Sequence, residues 1–184
     1  MFERTFIAQH LSLSKDFLNI VDSFKRDLNG LDVKWVENHN LHLTLAFLGN
    51  TSDKQSQEIK AGLHVISQHF TTYEIRVSGL GAFRSLKDPQ VLWVGISSGK
   101  TLGLMYSEIQ DLIEHAGFIL DPRRFKPHLT IGRVKKCSSE NNLIETVEKY
   151  TGIICETVCA DTIDFLKVFY THQDQYTEAF NPVV

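Results

Sequence analysis

Apolar positions recur along the chain in two rhythms. Phe17, Leu18, Val21, Phe24 and Leu28 fall three or four residues apart after Ser14, which predicts an amphipathic helix stopped at Gly30. Ile59, Leu63, Ile66 and Phe70 repeat that spacing behind Ser52-Asp53-Lys54-Gln55, a capping-box pattern. Leu102, Met105, Ile109, Leu112, Ile113 and Ala116 do so again before Gly117, and Leu143, Ile144 and Val147 mark a shorter helix. Between these lie runs of strand length or strand alternation at 5–9, 41–48, 73–77, 91–96, 128–134 and 163–170. A turn at His172-Gln173-Asp174-Gln175 leads to a last strand near 176–180. Strands outnumber what simple βαβ winding needs. The expectation is an α+β fold of antiparallel sheets with helices on their outer faces.

No Ser/Pro/Gly linker interrupts these 184 residues, so residues 1–184 are expected to form one domain. Apolar residues make up 42% and charged residues 22%, values of a globular chain rather than a disordered one. No apolar run is long enough for a spanning helix, so no membrane partner is expected. The first residues, Met1-Phe2-Glu3-Arg4-Thr5-Phe6, carry charges where an export signal would be apolar. The three cysteines form no C-x-x-C pair, which argues against a disulfide framework or structural zinc and for the cytoplasm. Cys155 and Cys159 share one face of any strand there and are expected to be buried thiols. A net charge of −3 excludes a generally basic nucleic-acid coat. One stretch departs from that balance: Arg123, Arg124, Lys126, Arg133, Lys135 and Lys136 are unrelieved by any acid.

The most informative feature is a duplication. His42-Leu43-Thr44-Leu45 returns 86 residues later as His128-Leu129-Thr130-Ile131. Composition alone predicts about 0.06 His-Leu-Thr triplets in this chain, so two in apolar strands is a strong signal. In a strand, residues i and i+2 share a face, so each copy offers an imidazole and a hydroxyl to one side. Leu43, Leu45 and Phe47 are expected on the other side, as are Leu129 and Ile131. Small Ala46 and Gly132 are expected to face the cleft and leave room for a ligand. If the halves are related by a pseudo-twofold, the imidazoles confront each other.

Two histidines with two hydroxyls suit phosphodiester cleavage, which needs a base for the nucleophile, an acid for the leaving oxygen and donors for the phosphoryl oxygens. Histidine serves either role near neutral pH. His39 and His42 are spaced i, i+3, but no adjacent Asp, Glu or Cys completes a metal set, and neither metal nor cofactor is expected. His10, His64, His69, His115 and His172 have no partner pattern and are read as surface or packing residues.

Trp35-Val36-Glu37-Asn38, the run 41–49 and the run 125–133 together resemble the 2H phosphoesterase superfamily, in particular its RNA 2′,3′-cyclic phosphodiesterase, or LigT-like 2′-5′ RNA ligase, branch. Gly79-Leu80-Gly81-Ala82-Phe83 and Val91-Leu92-Trp93-Val94-Gly95 are similar to that branch as well. The resemblance spans nearly the whole chain. It implies a bilobal fold of two facing antiparallel sheets around a central cleft. It also implies metal-independent opening of an RNA 2′,3′-cyclic phosphate end to a 2′-phosphate, with 2′-5′ joining as the reverse reaction. His42 and His128 would be the catalytic pair, Thr44 and Thr130 the hydroxyl donors, and Arg133 the phosphate contact. The stretch Glu37-Asn38-His39-Asn40 departs from the prolines common in relatives.

Strict alternation from His128 places Arg133 on the back face, unless a bulge or twist at Gly132 swings it into the cleft. Arg123, Arg124 and Lys126 would meet an RNA backbone entering the cleft. Their charge would disfavour protonation of His128, making it the proton acceptor and His42 the proton donor. Trp35 and Phe83 are candidates either for stacking a base or for ordinary core packing. The expected partner is RNA with a cyclic-phosphate end, handled by a monomer. The rivals are a phosphodiesterase for a 2′-5′ oligonucleotide, cyclic nucleotide or ADP-ribose cyclic phosphate, and a non-catalytic module that binds RNA ends.

Overall fold

In a computed structural model, the structure describes residues 2–28, 31–70, 72–119, 124–137, 140–170 and 176–179. Arg123, Gly30 and the 172–175 turn lie outside the described residues. Among these residues, nine strands and four α-helices follow in the order β1 (Phe2–His10), α1 (Lys15–Asp27), β2 (Leu31–Trp35), β3 (His42–Ser52), α2 (Asp53–His69), β4 (Tyr73–Arg84), β5 (Pro89–Ser98), α3 (Lys100–His115), β6 (His128–Cys137), α4 (Glu140–Thr151), β7 (Cys155–Ala160), β8 (Asp164–Tyr170) and β9 (Tyr176–Ala179). Every strand pairing is antiparallel. This is the α+β architecture expected.

The helices start where the sequence predicts. Ser14 caps α1 by accepting from the Phe17 N–H. At α2 the capping box is complete: Ser52 Oγ accepts from the Gln55 N–H, and Gln55 Oε1 accepts from the Ser52 N–H at 3.2 Å. Phe17, Val21 and Phe24 of α1, Ile59 and Leu63 of α2, Met105 and Ile109 of α3 and Leu143 of α4 all lie in one core. Ile7, Leu43, Leu45, Leu92, Val94, Leu129 and Ile131 meet them from the strands. Helices therefore cover one face of the strands, and the opposite face is left for chemistry. Among the described residues no helix is long and apolar enough to cross a membrane.

The strand order is β7-β4-β5-β6-β3-β1-β8-β9, with β2 beside β6. The two halves of this one nine-stranded sheet meet in the middle of that path. Their junction, β3 against β6, is a single rung, Leu43 opposite Leu129. Those two residues are equivalents in the repeated motif, as a twofold through the rung requires. The flanking strands obey the same operation, β1 standing to β3 as β5 stands to β6.

Three stretches differ from the pattern read off the sequence. β2 and β7 are short strands with weak alternation. β4 runs on to Arg84 through Gly79, which takes φ +76°, a conformation that suits glycine and lets the strand continue past an apparent turn. On β7 the buried residues are Val158 and Ala160, so Cys155 and Cys159 do share a face, but the exposed one. Among the described residues β7 pairs only with β4, as an edge strand.

Candidate active site

The two motifs are matched in more than sequence. His42 Nδ1 lies 2.8 Å from the Asn40 carbonyl oxygen, and His128 Nδ1 lies 2.6 Å from that of Lys126. A carbonyl only accepts, so each Nδ1 carries the proton and donates it to the residue two positions back. Both rings are thereby oriented, and Nε2 is the ring atom with a lone pair that can take up a proton. Across an antiparallel rung, the residue before one member lies opposite the residue after the other. The Leu43–Leu129 rung therefore sets His42 toward Thr130 and His128 toward Thr44.

A bulge is repeated as well. Along β1 and β3, Ala8 pairs with Thr44 but Ile7 pairs with Ala46, leaving Leu45 as the extra residue. Along β5 and β6, Trp93 pairs with Thr130 but Leu92 pairs with Gly132, leaving Ile131 extra. An extra residue inverts the alternation beyond it. Leu45 with Ala46, and Ile131 with Gly132, therefore turn successively toward the helix-covered side. The expectation that Ala46 and Gly132 face the cleft is corrected accordingly. Ala46 packs against the main core, and a Cβ on Gly132 would come within 2.7 Å of the Trp35 ring and Val33. Phe47, expected on the back with Leu43 and Leu45, is instead 69% exposed on the histidine side, where its ring lies 5.8 Å from that of Phe6. Phe6 in turn lies 5.3 Å from the His42 ring. The same inversion carries Arg133 to the face of His128 and Thr130. It is exposed, and its charge acts on both imidazoles.

Strict equivalence also exposes where the halves differ. Beside His128 the paired position is Gly95, and beside Thr130 it is Trp93, whose partner one strand further is Gly81, with the Trp93 ring so close over Gly81 that a Cβ there would clash. Phe83 completes this side, edge-on to His128 at 4.7 Å. In the other half the corresponding positions hold His10, paired with His42, and Asp164, paired with Ala8 beside Thr44. Asp164 is 4% exposed and accepts from the His10 backbone N–H. His10, read from the sequence as a surface or packing residue, thus belongs to the surroundings of His42. Asp164 escapes a reading of the sequence because only strand register joins it to the motif.

Both imidazoles sit below the ordinary histidine midpoint. For His42 burial is the main cause; the Asn40 carbonyl bond opposes it, His10 and Arg133 add to it, and the Asp164 carboxylate opposes it. For His128 burial again leads, opposed by the Lys126 carbonyl and reinforced by His42 and Arg133. The direction agrees with the sequence, but burial and Arg133 cause it rather than Arg124 or Lys126.

Of the remaining candidates, Thr44 and Thr130 are half-buried on the site face, while Arg124 and Lys126 are exposed on the loop before β6. Phe125, between those two cations, stacks on Tyr106 of α3 at 4.0 Å and pins the loop. Trp35 packs edge-on against Phe24 of α1, on the helix side, and is not placed to stack a ligand. Among the described residues no group of three or more His, Cys, Asp or Glu side chains is placed to hold a metal ion.

A family profile described as LigT-like phosphoesterase matches residues 12–93. The chain is 32% identical over 148 residues to an RNA 2′,3′-cyclic phosphodiesterase of Thermotoga maritima, spanning 79% of this chain and 78% of that protein. A protein of the same name from Aquifex aeolicus is 34% identical over 143 residues, 76% of each chain. Among solved structures, E. coli LigT complexed with 3′-AMP matches with a TM-score of 0.73 at 16% identity, over 98% of this chain and 96% of that one. TT0787 of Thermus thermophilus gives 0.73 at 18% identity, over 96% and 94%. At those identities the structural likeness speaks for the fold alone. The sequence relatives, aligned over three quarters of both partners, speak for the family: this chain belongs to the LigT-like phosphoesterases.

Proposed function

We propose that the protein opens RNA 2′,3′-cyclic phosphate ends to 2′-phosphates by general acid–base catalysis between His42 and His128. The observation that carries this is the twofold pair of imidazoles, each held through Nδ1 and each set beside a threonine. The names of the relatives supply the substrate class. Water attacks phosphorus as His128 Nε2 takes its proton. The bond from phosphorus to O3′ breaks as His42 Nε2 protonates that oxygen. Thr44 and Thr130 donate to the non-bridging oxygens, Arg133 offsets their charge, and Arg123, Arg124 and Lys126 meet the RNA backbone. With a 5′-hydroxyl in place of water, the same steps form a 2′-5′ link, and their reverse breaks it. Because each half contributes one motif, residues 1–184 act as one unit and need no second copy; reduced cysteines suit a cytoplasmic monomer.

The test is a short RNA ending in a 2′,3′-cyclic phosphate, incubated with the protein in EDTA. Conversion to a 2′-phosphate is expected. A 3′-phosphate reverses the leaving-group assignment, and tight binding of the end without turnover replaces the enzyme with a binding module. Turnover of a mononucleotide cyclic phosphate but not of the oligonucleotide points to a small phosphodiester instead.

Asp164 supports the assignment of roles, because a carboxylate favours the protonated form of His42 and, among the described residues, none acts on His128. The groups acting on Asp164 are His10, His42 and Asp161, and its own pKa is raised, chiefly by burial. Asp164→Asn keeps an acceptor for the His10 N–H and removes the charge. His42 then loses its proton more readily, so the alkaline limb of the kcat/KM profile moves to lower pH while the acidic limb stays. Movement of the acidic limb instead would exchange the two roles.

A further inference from the structure

His42 and His128 are each oriented by one carbonyl, so whatever fixes that carbonyl fixes the ring. Both carbonyls belong to short segments just ahead of a motif strand, outside the sheet. Each segment is reached by the helix of its own half, α1 following β1 as α3 follows β5. Asn40 closes a single 3-10 turn, Asn38–Asn40. From α1, the Lys25 ammonium lies 3.1 Å from the Val36 carbonyl oxygen and 2.9 Å from Asn38 Oδ1. Its third donor goes to Asp22 Oδ1 at 3.3 Å, and Asp22 Oδ2 accepts from Asn38 Nδ2 at 3.1 Å. A lysine side chain only 13% exposed is costly unless its donors are matched, and here all three are. Lys126 is held differently. Its neighbour Phe125 stacks on Tyr106 of α3, the rings 4.0 Å apart and within 5° of parallel. The two halves thus meet one requirement by an ammonium bracket and by a ring stack.

We infer that Lys25 and Tyr106 are positioning residues, Lys25 setting the imidazole of His42 through Asn38 and the Asn40 carbonyl, and Tyr106 setting that of His128 through Phe125 and the Lys126 carbonyl. This rests on the acid–base reading of the pair and adds that each histidine has an anchor of its own. The carbonyl bond favours the protonated form of each ring. The other groups acting on His42 are His10, Asp164 and Arg133, and those acting on His128 are His42 and Arg133; the anchors contain none of them. Lys25→Met removes the three donors at nearly constant length, so the His42 midpoint falls. A cation acting on His42 through its charge would, when removed, let that midpoint rise, and the sign separates position from electrostatics.

The experiment follows the imidazole Cε1–H signals of the whole protein by NMR across pH, assigned from His42→Ala and His128→Ala. Lys25→Met and Asn38→Ala are each expected to lower the His42 midpoint alone; Asn38→Ala breaks the same bracket from the turn and serves if Lys25→Met does not fold. Tyr106→Ala is expected to lower the His128 midpoint alone, and Tyr106→Phe, which keeps the ring, to restore it. Toward an RNA 2′,3′-cyclic phosphate, the three disruptive variants lose up to about 10²-fold in kcat with KM within a few-fold, as for a displaced reacting group. Both midpoints moving together, a rise on losing Lys25, or unmoved midpoints in folded protein overturn the inference. Midpoints that move as stated, in a protein whose wild type shows no turnover, remove the acid–base reading and leave the anchors. Wild-type turnover with unmoved midpoints removes the anchors alone.

Discussion

Alanine at His42 or at His128 lowers kcat/KM toward an RNA 2′,3′-cyclic phosphate by about 10²- to 10⁴-fold. The double variant falls by much less than the product of the two losses, because an acid and a base acting in one step work as a unit. Each single variant should keep its thermal midpoint within a few degrees and still bind a 2′-phosphate product, which separates lost proton transfer from lost structure. The pH dependence distinguishes the two further. In free enzyme the base must be neutral and the acid charged, so the acidic limb belongs to His128 and the alkaline limb to His42. His128→Ala flattens the first and His42→Ala the second. Burial lowers both rings, chiefly by penalising their charged forms, so both limbs of wild-type kcat/KM fall on the acid side of an ordinary histidine. Limbs above pH 7 in free enzyme would mean that other groups carry the protons.

What can be read from sequence is whatever is periodic or repeated. The caps at Ser14 and Ser52, the four helical stripes and the paired His-Leu-Thr copies are local patterns, and the copies alone predict an approximate twofold. The bulges are not local in that sense. Leu45 and Ile131 look like ordinary inward residues, and only their partners across β1 and β5 show that each is extra. Strict alternation misassigns the faces of Ala46, Phe47 and Gly132 for that one reason, and puts Arg133 on the back face unless a bulge is allowed for. A clue is present in the pairs Leu45-Ala46 and Ile131-Gly132, each a bulky apolar residue followed by a small one. The His10 and Asp164 neighbours of His42 are hidden differently. They come from the first strand and from a strand 122 residues beyond the motif, brought together by register that no window along the chain displays. Burial is likewise misjudged for Cys155 and Cys159, because side-chain type says nothing about which face of an edge strand a helix covers.

The bulge at Ile131 makes Arg133 the second sensitive position. Arg133→Ala is expected to cost about 10²- to 10³-fold in kcat, the range seen when one donor to a developing phosphoryl or oxyanion charge is removed. A surface arginine on the back of the strand would cost a few-fold at most. Arg133→Lys keeps the charge but loses the planar fork with which an arginine can contact two phosphoryl oxygens at once, so it is expected to recover only part of the loss. The variant also carries a second signature. Arg133 disfavours protonation of both His42 and His128, so its removal raises both pKa values, and both limbs of the kcat/KM profile move together to higher pH. Asp164→Asn, by contrast, moves one limb downward. An arginine that only held the strand in place would lower the rate and leave both limbs where they are. Opposite charges at Asp164 and Arg133 thus act on the histidine pair in different ways: the carboxylate separates acid from base, and the guanidinium sets the charge the pair must work against. A joint upward shift with Arg133→Ala and a one-sided downward shift with Asp164→Asn are required together, because a cleft with either residue turned away from the imidazoles would show only one of them.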